Sequence, residues 1–209
     1  MGESVAANVY ETIKQRIILL EIQPGSPINT NALAAEMGVS VTPVREALIR
    51  LEADGLVHRA RNSTAHVTEV HLHDLKDILE ARLLVIEQIA RLAAQRVRED
   101  ELEQMQDLLR QMKSCTDRRE LIRLDSEFHQ MINLASKNRA LGQVADLMRN
   151  HVMRLWYYVS NEHTYWDELI MDRERLIEAL KAGDVEETTH ILKAHITMFV
   201  DEVRAAVWD

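Results

Sequence analysis

The 209-residue chain has one cysteine, three prolines and six glycines, and aromatic residues make up 4% of it. A lone thiol, Cys115, cannot close an internal disulfide, so packing must hold the fold, and the composition suits a reducing compartment. Little proline, glycine and aromatic content argues against a β-rich chain and for a mostly helical one. No run of eighteen apolar residues and no basic-then-apolar opening is present, which leaves no candidate membrane span or secretory signal; a cytoplasmic protein is expected. Positive charge is also short. Lys and Arg total 25 against 34 Asp and Glu, a formal net charge of −9, and residues 1–70 hold six basic against eight acidic residues. Proteins that hold DNA through its phosphates usually show a basic patch, so any nucleic-acid surface must be local and strongly salt-sensitive. With 46% apolar residues the chain has enough material for two cores.

The most informative stretch is ALAAEMGVSVTPVREALIRLEADGL, from Ala32 to Leu56. A short helix carrying Leu33 and Met37 stops at Gly38, where a positive φ lets two helices meet steeply. Ser40 is placed to cap a second helix and Pro43 falls in its first turn, where the missing N–H costs little. That helix carries Thr42, Arg45 and Arg50 on one side and Val44, Ala47, Leu48 and Leu51 on the other. An ordinary αα-hairpin has the same periodicity. The residues after the second helix separate the two: 55–59 and 65–70 are β-prone runs flanking the polar segment 60–64, a two-stranded wing. Upstream, Val9, Tyr10, Ile13, Ile17 and Leu20 recur at helical spacing, and Asn29 or Thr30 can cap the helix after Pro24-Gly25. Helix, helix, helix, wing is a winged helix, over residues 1–70, with the helix-turn-helix at about 30–50 and the wing at about 56–70.

Residues 71–209 read as helix throughout: about 73–96, 99–112, 120–136, 141–160, 165–182 and 185–207, an antiparallel bundle without strands. Three polar residues lie on its apolar stripes. Asp125 and His129 stack at i, i+4 beside Leu121, Phe128 and Ile132, and His195 sits among Leu192, Phe199 and Val203. A carboxylate with two imidazoles suits a divalent transition metal; the alternative for each is a core polar group satisfied by hydrogen bonds. Arg82 and Arg154 are candidates to clamp an effector carboxylate, since guanidinium pairs bidentately with carboxylates, or else to form interhelical ion pairs. Asn133, one turn beyond His129, faces the same ligand space.

Residues 9–70 resemble the DNA-binding domain of GntR-type bacterial transcription regulators, through Ile18, Pro24-Gly25, Leu33-Ala34, Gly38-Val39-Ser40, Thr42-Pro43-Val44-Arg45-Glu46-Ala47-Leu48, Leu51 and Gly55-Leu56-Val57. The departures fall on positions that face DNA in that family: Val41 and Asn31 stand where Arg is common, and the wing tip is Asn62-Ser63-Thr64-Ala65. The implied DNA-facing set is Asn31, Ser40, Val41, Thr42, Arg45, Arg50, Arg59, Arg61 and Thr64.

From about 72 to 205 the chain resembles the helical effector domain, FCD, of the fatty-acid-regulator-like branch of that family. Arg82, Leu124-Asp125, Phe128-His129, Asn138, Ala179-Leu180, Gly183-Asp184 and His195 carry the match. Metal-binding members add a histidine about twenty-two residues before the last one; that position is Arg173. The resemblance implies either a zinc, nickel or manganese ion on Asp125, His129 and His195 with Arg173 toward a carboxylate effector, or Arg173 taking an anionic effector without metal. His151 is a substitute ligand if its face turns inward. The expected function is a ligand-responsive regulator, a homodimer with two recognition helices roughly 34 Å apart on a two-fold operator. A metal-dependent enzyme using Asp125, His129 and His195, and a regulator whose bundle only dimerises, are the other readings.

Overall fold

The structure, a computed structural model, describes residues 5–59, 64–69, 71, 74–159 and 166–208. Two compact units are present: Met1–His73 with Asn150–Val159, and Asp74–Arg149 with Ser160–Asp209. The division departs from a single boundary near residue 70 by placing 150–159 with the first unit.

In the first unit, α1 (Val5–Ile18), α2 (Thr30–Glu36) and α3 (Val41–Ala53) surround a core of Val9, Ile13, Ile17, Val44, Ala47, Leu48 and Leu51, all nearly fully buried. Each of the Val, Ile and Leu side chains stabilises the fold by roughly 1.5–3 kcal/mol relative to exposure. Helix α2 ends as the sequence requires. Gly38 has φ +64°, its N–H donates to the Ala35 carbonyl (3.3 Å), and the Val39 N–H reaches back to Ala34 (3.0 Å). This Schellman closure depends on a residue that accepts the left-handed region. Gly55, at φ +70°, repeats it after α3, where Leu56 N–H donates to the Leu51 carbonyl and both side chains enter the core.

One local expectation holds and one changes. Asn29 caps α2, its Oδ1 accepting from the N–H groups of Asn31 (3.1 Å) and Ala32 (3.0 Å). Ser40 holds the N-cap backbone position of α3, but its hydroxyl makes no capping hydrogen bond. Of the two donors an N-cap oxygen usually uses, the second and third helical N–H groups, Pro43 lacks the third, which leaves only that of Thr42. The wing also has an unforeseen strand. β1 (Pro27–Ile28) pairs antiparallel with β3 (Ala65–Val67), which pairs with β2 (Val57–His58), so the order is β1-β3-β2 with Pro27 opposite His66 and Val57 opposite Val67. The wing-tip residues 60–63 lie outside the described residues.

The second unit is built from α4 (Asp74–Arg96), α5 (Glu99–Ser114), α6 (Arg118–Ala135), the first part of α7 (Arg139–Val159), α8 (Trp166–Ala182) and α9 (Val185–Trp208). Helix α4 packs along α9, α6 and α8, and α5 along α6 and α8. Ile89, Ala90, Ala93, Met105, Phe128, Ile132, Leu176, Leu180 and Leu192 form the core. Asp117 caps α6 by accepting from the Glu120 N–H (2.8 Å), which starts that helix two residues earlier than periodicity suggests.

Candidate functional site

On the winged helix, Thr42 and Arg45 lie exposed near the start of α3, with Ser40 and Asn31 exposed beside them. Among the described residues Arg45 has no ion-pair partner, so its guanidinium is available. Val41 is only half-buried and packs against the domain core. Thr64 is exposed at the start of the second wing strand, whereas Arg61 lies outside the described residues. Arg59 is exposed and pairs with Glu52 (Nη2 to Oε2, 3.3 Å). Arg50 is directed elsewhere: its guanidinium lies 3.9 Å over the Tyr10 ring, whose hydroxyl donates to Asp54 (2.5 Å). It belongs to the α1–α3 seam rather than to the face carrying Thr42 and Arg45.

The bundle brings five of the expected residues together. Asp125 and His129 on α6 meet Arg173 on α8 and His195 on α9, all buried, with Arg82 of α4 buried beside them. Arg173, fully buried, sends one nitrogen into the middle. Its Nη2 donates to Asp125 Oδ1 (2.8 Å) and to His129 Nε2 (2.9 Å), and lies 3.5 Å from His195 Nε2. Because guanidinium has only donors, both imidazoles must present a lone pair at Nε2 and stay neutral. Burial depresses the pKa of each, Asp125 opposing and Arg173 adding to the effect, with His195 brought to about 3. For Asp125, burial alone would raise the pKa, but surrounding positive charge, Arg173 and Arg149 included, holds it well below the usual carboxylate range.

Arg149 was not foreseen. Its Nη2 donates to Asp125 Oδ2 (2.8 Å) and its Nη1 to Ser126 Oγ (3.0 Å). Its place on one helical stripe with Ala145 and Val152 was the available signal: a charge where an aliphatic residue is expected. Arg82, Ile86, His129, Asn133, Ala145 and Arg149 line a cavity of about 10 Å³, close to the size of one water. Asn133 is turned to Asp146, its Nδ2 donating to Oδ1 (2.8 Å). No described residue pairs with Arg82, and burial, then the Arg149 cation, brings its pKa down to about 9. Arg154 is a correction. It lies in the first unit, where it donates to the Thr68 hydroxyl (2.8 Å) and carbonyl, so it does not join Asp125 and the histidines. His151 lies in that unit too.

As arranged, these residues do not fit a divalent ion. The point on which Asp125, His129 and His195 converge is taken by a guanidinium nitrogen, and among the described residues no group of three His, Cys, Asp or Glu stands ready for a metal. No described helix is long and apolar enough to cross a membrane.

Comparison with known proteins agrees with both units. Residues 5–67 match the bacterial regulatory proteins of the gntR family and residues 77–198 match the FCD domain. The chain is 30% identical over 205 residues to the HTH-type transcriptional regulator LutR of Bacillus subtilis, covering 87% of this chain and 93% of that protein. It is 23% identical over 206 residues to the HTH-type transcriptional repressor RspR of Escherichia coli K12, covering 97% and 90%. The solved structure of E. coli McbR/YncC shares the fold with a TM-score of 0.85 at 24% identity, covering 98% of this chain and 99% of that one. LutR and RspR are regulators, not enzymes, and the chain belongs to the GntR family of DNA-binding bacterial transcription regulators, in the branch that carries an FCD domain.

Proposed function

We propose that this regulator is ligand-responsive, and that a small carboxylate held by Arg82, Arg149 and Arg173 in the bundle controls its affinity for operator DNA. The observation that carries the reading is a charge imbalance: three buried guanidinium groups face one buried carboxylate, and both nearby imidazoles are neutral. Buried charge without a partner is unfavourable, so the cluster is matched to an added anion. Two further donors point the same way. Arg173 Nε and Nη1 are fully buried and have no hydrogen-bond partner among the described residues, a state that calls for a ligand oxygen or an ordered water. Because the cavity holds about one water, a carboxylate must displace neighbouring side chains to enter. Ligand-bound and ligand-free bundles then differ, which a population shift requires.

In this reading the protein is a cytoplasmic homodimer and each recognition helix enters a major groove of a two-fold operator. Asn31, Ser40, Thr42 and Arg45 face DNA from the helices, with half-buried Val41 at the edge of that face, and Arg59, Arg61 and Thr64 from the wing. Arg50 is left out, since it stacks on Tyr10. The repressor relative RspR supports repression as the mode of action. A thermal-shift panel of small mono- and dicarboxylates identifies the ligand: at least one should raise the melting temperature of wild type and not of R82A. A panel in which no carboxylate does so rejects the effector class.

A further inference from the structure

The geometry points to Arg173 as a built-in replacement for a divalent cation: its guanidinium does the work of an ion at this site, and one exchange to imidazole converts the site into a metal centre. Three ligand-type atoms, Asp125 Oδ1 and the Nε2 atoms of His129 and His195, turn their lone pairs toward Arg173 Nη2. Their distances of 2.8, 2.9 and 3.5 Å are those of hydrogen bonding, well beyond the 2.0–2.2 Å of zinc bound to nitrogen or oxygen. The charge also matches. Arg173 and Arg149 each bond one oxygen of Asp125, so two fixed positive charges meet the carboxylate, as one dication would supply. The Arg173 guanidinium is part of the chain and cannot leave, so the site stays assembled whatever metal is available. It also repels any incoming dication.

The reach of the side chains makes the exchange specific. A guanidinium nitrogen lies about as far from its Cα as a metal bound to an imidazole Nε2 would lie from the Cα of that histidine. R173H therefore clears the guanidinium from the point on which the three atoms converge and adds a fourth donor aimed at that point, completing a carboxylate and three imidazoles. Metal binding alone is the readout, so the outcome does not depend on which effector the site takes.

Tag-free wild type, H129A, R173A, R173H and R173H/H129A are titrated with Co(II), followed by its visible absorption, and melted with and without chelator. Wild type is expected to show no saturable Co(II) spectrum at micromolar metal and no change in melting on chelation. R173H is expected to bind Co(II) stoichiometrically, to melt lower after chelation, and to lose both properties with H129A. Stoichiometric binding by wild type that H129A removes would overturn the proposal, as would a folded R173H that takes up no metal. If R173H fails to fold as the apo-protein, recovery of its helical circular dichroism on adding Co(II), in R173H or in R173A, supports the proposal. Failure of both variants to recover contradicts it.

Discussion

Replacing Asp125 by Asn tests whether the bundle is held by ionised charge. The side chain keeps its shape and one oxygen can still accept from Arg173, so the change removes charge and little else. In wild type that carboxylate meets Arg173 at 2.8 Å on one oxygen and Arg149 at 2.8 Å on the other, with Arg173 fully buried and Asp125 nearly so. D125N leaves three buried guanidinium groups without an anion. Removing one member of a buried ion pair costs about 3–5 kcal/mol, because the remaining charge stays desolvated. For a chain of this size each kcal/mol lowers the melting temperature by about 2–4 °C, so a fall of roughly 6–20 °C is expected at pH 7. The carboxyl pKa is depressed in the folded protein, so its contribution is present above the unfolded value near 3.9 and fades as pH falls through the native one. The gap between wild type and D125N should therefore persist at pH 5. R173M should also be less damaging in the D125N background than alone, a coupling of about 0.5–3 kcal/mol. Differential scanning fluorimetry reads all of these. A D125N protein that melts within a degree or two of wild type would refute the reasoning.

The two buried histidines give a second test with a defined pH window. Both have folded pKa values below the ordinary 6.5, so their stabilisation is complete above that pH and is lost as the unfolded chain gains protons; each imidazole contributes a loss of about 1.4 kcal/mol per pH unit below 6.5. H195Q should flatten that decline between pH 6.5 and 5; an unchanged slope would mean His195 is protonated in the fold. Capping gives a contrast between neighbouring helices. N29A should lower stability by about 1 kcal/mol, whereas S40A should leave it within about 0.5 kcal/mol and act on DNA affinity instead. R45A should weaken specific operator binding by about 1–3 kcal/mol in a gel-shift titration at fixed salt, with no loss of helicity.

Where the sequence succeeded, the determinants were local. The Schellman closures at Gly38 and Gly55, the Asn29 cap and the i, i+4 pairing of Asp125 with His129 all lie within a few residues of chain, and so do most helix ends. The Ser40 cap, read from the same local signals, did not form. Non-local features escaped. β1 is two residues long and exists only because β3 lies alongside it, so no alternation could announce it. That Asp125 on its apolar stripe needs a cation, and that Arg173, 48 residues away, is a candidate to supply it, was within reach of the sequence; that Arg149, 24 residues away, supplies a second was not. Arg154 shows the converse, a guanidinium suited to a carboxylate that instead binds the hydroxyl and carbonyl of Thr68, 86 residues away.

The central claim is that an anion at the bundle arginines sets operator affinity. It is tested by measuring operator binding by fluorescence anisotropy, at fixed salt, with and without the carboxylate found in the thermal-shift panel, for wild type and R82Q. Wild-type affinity is expected to change by about 5- to 150-fold, with a matching change in carboxylate affinity when operator is bound, while R82Q binds operator normally but no longer responds. Operator affinity that the carboxylate leaves unchanged in wild type, or a full response in R82Q, would contradict it.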